Sequence, residues 1–201
     1  MSLTCTALLH LVRSELILGG QKSGKSRRAE TLARNWLAQS ASHRAVLIAT
    51  AQPGDEEMRW RIARHQADLA RQVPGMSTVE EPLALAETIA QHSRADTLVV
   101  VDCLTLWLTN CLLPMAQDLE SNRPLVTVNS AQAAKLLIAI AAAPGPVVLV
   151  GNEIGLGVIP LGCEVRAFVD ALGRLNQDVA RVCERVTLMA AGLPLTLKDA
   201  A

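Results

Sequence analysis

Aromatic residues are nearly absent from this chain, with no tyrosine, one phenylalanine and three tryptophans among 201 residues. Trp36, Trp60, Trp107 and Phe168 are too few for the base-stacking platforms of single-strand nucleic-acid binders. An excess of charge of either sign is absent too. Nineteen basic residues balance nineteen acidic ones, which leaves no electrostatic footprint for duplex nucleic acid or an anionic membrane. No CxxC pair occurs among Cys5, Cys103, Cys111, Cys163 and Cys183. This argues against a zinc site or disulfide framework and for reduced thiols in a cytoplasm. The apolar run Ala7–Val12 has no basic flank and no small-residue cleavage site, so it reads as no signal peptide. The longest apolar stretch, Thr97–Met115, is interrupted by Asp102 and Asn110 and shifts from Val-rich to Leu-rich. It reads as a strand followed by a helix, not as a membrane span.

Half of the residues are hydrophobic and 19% are charged, enough for a large core of Leu, Val, Ile and Ala. Continuous apolar runs (Leu16–Leu18, Arg44–Thr50, Thr97–Asp102, Pro146–Val150) predict buried strands. Stretches with apolar residues at helical spacing separate them: 26–38, 55–71, 83–92, 104–113, 130–142 and 165–182. Thr78–Glu80 reads as a short strand. Arg185–Ala190 and Leu195–Lys198 read as closing strands around a Gly192–Pro194 turn. The polar segment 117–128 reads as a loop or lid, and Gly151–Gly162 as a functional loop. Strand–helix alternation with non-alternating strands predicts one α/β domain, a mostly parallel sheet with helices on both faces.

Gly19-Gly20-Gln21-Lys22-Ser23-Gly24-Lys25-Ser26 fits G-x-x-x-x-G-K-[ST], with an apolar strand before it and a helix after it. Glycines let the backbone curl so that its N–H groups face phosphates, and the helix N-terminus adds positive potential. Lys25 is expected at the terminal phosphates and Ser26 on Mg²⁺. Asp102 ends the strand Leu98–Asp102, where open parallel sheets bind ligands, and is expected as the second metal-side oxygen. Kinase, ATPase, GTPase and nucleotidyltransferase remain open on these residues alone. His65, in Arg61-Ile62-Ala63-Arg64-His65, is a candidate nucleophile toward phosphorus.

Taken together, these segments resemble the bifunctional adenosylcobinamide kinase / adenosylcobinamide-phosphate guanylyltransferase family of cobalamin biosynthesis. The resemblance runs through GGQKSGKS (19–26), LIATA (47–51), DEEM (55–58), RIARH (61–65), TVEEP (78–82) and VDCLTLWLTN (101–110). It continues through GNEIGLGVIP (151–160) and RAFVDALGRLNQDVA (166–180). It implies a P-loop NTPase-type, RecA-like fold and two reactions. ATP or GTP phosphorylates the aminopropanol hydroxyl of adenosylcobinamide. GMP then moves from GTP, through a GMP–histidine intermediate at His65, to that phosphate, giving adenosylcobinamide-GDP and pyrophosphate.

The resemblance further implies a nucleotide site of Gly19–Ser26, Thr50, Ala51, Gln52, Gln66, Ala67, Asp68, Leu69, Glu80 and Asp102. It implies a cytoplasmic homo-oligomer, a trimer, with no nucleic-acid partner and no membrane insertion. Residues 1–14 read as an extension ahead of a domain spanning 15–201. Two departures stand out. Gln21-Lys22 replaces the family's usual Ala-Arg, which removes a bidentate guanidinium. The segment 68–76 lacks the family's Arg-Pro and Trp, and Arg71 is a displaced candidate for that arginine. Two alternative readings are a monofunctional relative and an NTP-binding regulatory module.

Overall fold

The computed structural model describes residues 11–52, 54, 56–112 and 125–199, and only the backbone of 58, 61, 62, 65, 66 and 125–129. The apolar runs become strands β1 (Ser14–Gly19), β2 (Arg44–Ala49), β3 (Met76–Glu80), β4 (Thr97–Asp102), β5 (Val147–Val150), β6 (Arg185–Ala190) and β7 (Leu193–Asp199). Helices α1 (Lys25–Gln39), α2 (Glu56–Gln72), α3 (Leu85–His92), α4 (Leu104–Leu112), α5 (Leu125–Ala142) and α6 (Cys163–Val182) lie between them. The strands form one seven-stranded sheet in the order β3-β2-β4-β5-β1-β6-β7. Every neighbouring pair is parallel except β6 and β7. The fold is thus the expected P-loop, RecA-like α/β architecture. Since β1 is interior, the loop leaving it emerges within the sheet's carboxyl edge, where ligands bind in such folds.

Period-two alternation divides the strand side chains between two cores. Ile17, Leu47, Leu98, Val100 and Val148 pack on the layer of α1 and α2, through Leu32, Ala33, Leu69 and Val73. Leu16, Leu18, Ile48, Val99 and Leu149 pack on α3, α4, α5 and α6, around Trp107, Leu136 and Val179. Each such fully buried aliphatic contributes about 1.5–3 kcal/mol. Trp107 is 1% exposed, and its indole N–H donates to the Leu83 carbonyl at 3.0 Å, so the large ring is buried without an orphaned donor. None of the described helices is long and apolar enough to cross a membrane.

Most boundaries differ from the sequence expectation by a residue or two, and three of the differences have a clear physical reason. Strand β1 starts at Ser14, inside the segment read as an extension, because its neighbour Glu15 finds buried partners. Residues 1–10 of that segment lie outside the described residues. Helix α5 starts at Leu125, so 125–128 is helical, not loop; 117–124 lies outside the described residues. Helical propensity is only a weak prior, and the β-branched residues at 126–128 are carried by an 18-residue helix. The β6–β7 turn is Ala191-Gly192, both with positive φ (51° and 80°), as a two-residue type I′ hairpin requires. Pro194 lies within β7, a position open to proline because β7 is an edge strand.

Candidate active site

The loop Gly19–Ser26 runs from the end of β1 into the first turn of α1. Its shape requires glycine at 19, where φ is 152° and a Cβ would lie 2.5 Å from both the Met189 carbonyl and the Ser23 hydroxyl. Gly24, with φ 102°, is the N-cap of α1. The Gly192 N–H donates to the Ser23 carbonyl at 3.0 Å, so the β6–β7 turn braces the loop from behind. The loop and the start of α1 enclose a cleft of about 210 Å³ lined by Lys22, Ser23, Gly24, Lys25, Ser26 and Arg27. Backbone amides at a helix N-terminus and two lysines make this cleft suited to a polyphosphate.

Lys25 is only 8% exposed, and its ammonium donates to the Gly20 carbonyl at 2.6 Å. Burial pulls its pKa below the usual lysine value, opposed by the nearby Asp102 and Cys103. The Ser26 hydroxyl donates to Asp102 Oδ2 at 3.0 Å. This bond joins the first turn of α1 to the end of β4 and sets an Asp102 oxygen beside the Ser26 hydroxyl, at the edge of the cleft. Asp102 is followed by a cis peptide to Cys103. The Thr50 hydroxyl clasps Cys103, accepting its N–H at 2.9 Å and donating to its carbonyl at 2.7 Å.

Register aligns the remaining candidates along the sheet edge. Glu80 pairs with Ala49, Ala49 with Asp102, Asp102 with Val150, and Val150 with Ile17. Glu80 and Asp102 are therefore two strands apart, roughly 10 Å. Thr50 is fully buried, and its carbonyl accepts from Asn110 Nδ2 at 2.8 Å. Ala51 and Gln52 follow it, half-buried. On α2, the Leu69 side chain is buried in the core. Asp68 is engaged by Arg71 and lies 3.9 Å from Arg64. That pairing holds Arg71, the displaced arginine, at the surface. Ala67 is exposed. His65 and Gln66 lie on α2 by their backbone, and their side chains lie outside the described residues. A small crevice nonetheless joins Ser26 and Asp102 to Leu69, one helical turn after His65.

Two features escaped the residue pattern. The first is a buried ion pair beneath the loop. Arg28 Nε donates to Glu15 Oε1 at 2.8 Å, Thr187 donates to the same oxygen at 2.8 Å, and Glu15 is fully buried. Its only sequence signal is a carboxylate within the apolar strand SELILG. The second is the way residues 151–153 extend the β5 ladder. Gly151 N–H donates to Ile17 O at 3.0 Å and Glu153 N–H to Gly19 O at 3.1 Å. The loop flagged as functional thus begins directly beside the phosphate loop.

Comparison with known proteins agrees with this geometry. At the level of fold, the chain is similar to the flagellar accessory protein FlaH of Methanocaldococcus jannaschii, with a TM-score of 0.50 at 11% identity over 93% of this chain and 78% of that one. A protein of Pyrococcus horikoshii OT3 gives 0.52 at 11% identity over 97% and 90%. In sequence, it is 48% identical to the bifunctional adenosylcobalamin biosynthesis protein CobP of Pseudomonas aeruginosa, over 92% of this chain and 96% of that protein. It is 32% identical to the bifunctional adenosylcobalamin biosynthesis protein CobU of Escherichia coli K12, over 91% and 98%. The family model described as cobinamide kinase / cobinamide phosphate guanyltransferase matches residues 15–197. With a phosphate loop, a serine–aspartate pair and a matching model over almost the whole domain, the chain belongs to the cobinamide kinase / cobinamide phosphate guanyltransferase family.

Proposed function

We propose that one phosphate cradle serves both reactions of this kinase and guanylyltransferase, and that His65 carries GMP between them. In the first reaction Lys25 and the loop amides hold the γ-phosphate of ATP or GTP while it passes to the aminopropanol hydroxyl of adenosylcobinamide. In the second, the same loop holds the β- and γ-phosphates of GTP. An unprotonated His65 nitrogen then attacks the α-phosphorus and pyrophosphate leaves. Adenosylcobinamide phosphate next displaces the histidine to give adenosylcobinamide-GDP. The observation that carries this reading is the crevice from the Ser26–Asp102 pair to Leu69. It brings α2 against the first turns of α1 and the end of β4, one turn from His65.

The Ser26–Asp102 oxygens fit a hard divalent cation, and Mg²⁺ would sit there. Among the described residues no cluster of three or more acidic, histidine or cysteine side chains forms a cation site. One carboxylate, one hydroxyl and nucleotide phosphates suit Mg²⁺, which favours phosphates and water over an all-protein cage. The chemistry such an ion supplies when bound is neutralisation of phosphate charge. Glu80, Thr50, Ala51 and Gln52 would hold the nucleoside along the strand ends. Gln66, Ala67 and Asp68 would border it from α2. The exposed apolar run at Leu156 (80%), Val158 (95%), Ile159 (77%) and Leu161 (97%) is the kind of patch that marks an association surface. It supports a homo-oligomer, a trimer by family resemblance.

Intact-protein mass spectrometry after incubation with GTP and Mg²⁺ tests the central claim. A GMP-sized gain is expected in the wild type and not in His65→Ala, which should still phosphorylate the corrinoid alcohol. A gain of equal size in His65→Ala would place the covalent nucleotide elsewhere.

A further inference from the structure

The two reactions make different demands on the protein. An alcohol must lose a proton as it attacks phosphorus, whereas a phosphate monoester arrives already anionic. A general base is therefore needed for phosphorylation and has nothing to do in GMP transfer. None of the residues named so far serves as that base. Asp102 Oδ2 accepts from Ser26. Glu81 follows Glu80 off the outer strand β3, and its Oε1 is turned to the N–H groups of Leu83 and Ala84, at 2.8 and 2.7 Å, ahead of α3. Glu80 stands two strands further out from Asp102.

We propose that Glu153 is the general base of the phosphorylation reaction. Three observations carry the assignment. Sheet order places β5 between β4, which ends in Asp102, and β1, which ends in the phosphate loop. The backbone of 152–153 is wedged between the start of the phosphate loop and the first turn of α4, the helix that follows β4. Glu153 N–H donates to Gly19 O at 3.1 Å on one side, and Asn152 N–H donates to the Thr105 hydroxyl at 2.9 Å on the other. Finally, the carboxylate is held in place by its neighbours. Its Oε1 accepts the Gly155 N–H at 2.9 Å. Its Oε2 lies 3.4 Å from Nδ2 of Asn176, a residue only 4% exposed whose amide also donates to the Asn152 carbonyl at 3.1 Å. No basic side chain forms an ion pair with Glu153 among the described residues.

This assignment rests on the functional reading above, in which the kinase acceptor is an alcohol. As the acceptor oxygen forms its bond to the γ-phosphorus, its proton passes to Glu153 Oε2. The bond between the γ-phosphorus and the β–γ bridging oxygen breaks, and the nucleoside diphosphate leaves with that electron pair. The protonated carboxyl then returns its proton to solvent.

The test is Glu153→Gln, assayed separately for phosphorylation of the corrinoid alcohol with ATP and for GMP transfer to the pre-phosphorylated corrinoid. Phosphorylation kcat should fall about 10²–10⁴-fold, with the nucleotide KM within about threefold of wild type. GMP transfer should stay within about threefold. Glu153→Asp should recover part of the phosphorylation rate, and the acidic limb of the wild-type kcat–pH profile should be missing from Glu153→Gln. A Gln variant that phosphorylates within about fivefold of wild type overturns the assignment alone. So does an equal loss of both activities that Asp does not relieve, since that marks a purely structural loop residue. A wild-type enzyme that moves no phosphate to the alcohol would overturn the functional reading, and the assignment with it.

Discussion

Replacing Glu15 by leucine should be among the most damaging single changes in the chain, and replacing Arg28 as well should undo most of the damage. The carboxylate is fully buried and Arg28 is 8% exposed. Oε1 receives both Arg28 Nε and the Thr187 hydroxyl at 2.8 Å, while Arg185 stands 3.9 Å from Oε2. Glu15→Leu leaves the Arg28 guanidinium buried without its counter-charge, which costs about 3–5 kcal/mol. In a chain of this length that lowers Tm by about 6–20 °C. Arg28→Met should cost less, because Glu15 keeps Thr187 and the more distant Arg185. In Glu15→Leu/Arg28→Met no uncompensated charge remains, since Arg185 still holds Asp199 at 3.0 Å. The orphaned Thr187 hydroxyl then sets the loss at about 1–3 kcal/mol. Urea unfolding followed by circular dichroism on all four proteins gives the cycle. The reasoning is refuted if Glu15→Leu costs less than about 1 kcal/mol, or if the double variant loses the sum of the two singles.

Two further outcomes follow from the same structure. Gly19→Ala would place a methyl group 2.5 Å from the Met189 carbonyl and the Ser23 hydroxyl at φ 152°; ATP and GTP affinity by calorimetry should fall at least about tenfold, from strain of about 1–3 kcal/mol plus the displaced loop, and unchanged affinity would show that the cradle tolerates a Cβ there. Burial pushes the fully buried Cys183 thiol up to about 12 from an unfolded value of 9.0. The unfolded thiol then ionises first, so its contribution is complete below pH 9 and falls as pH rises toward 12, by up to about 4 kcal/mol. Cys183→Ala should flatten the alkaline limb of a stability–pH curve measured in urea, and an unaltered slope would assign that limb to other groups.

The sequence made the phosphate cradle legible because its chemistry is local: eight consecutive residues set the turn, the lysine and the helix start. Strand identity was equally local, since buried parallel strands are plain apolar runs. Strand order was not, because nothing in PVVLV says that it inserts between β4 and β1. That insertion is what brings Glu153 beside Gly19. Glu15 was hidden for a related reason. A carboxylate in an apolar run shortens the apparent strand unless its partners are known, and Arg28 and Thr187 meet it only in three dimensions. Leu69 shows the reverse case, a residue placed near the site by resemblance whose own side chain packs into the core.

The bond from Gly192 N–H to the Ser23 carbonyl also bears on when this enzyme can begin to work. The motif that cradles phosphate is translated long before the turn that supports it. The strands that flank β1, β5 and β6, also follow it in the chain by more than a hundred residues. A ribosome-bound chain therefore has no finished cradle until that turn has been made. Contacts so distant in sequence slow folding and leave apolar strands waiting for partners. Shortened chains that stop before the hairpin should carry the entire signature motif and still fail to hold a nucleotide.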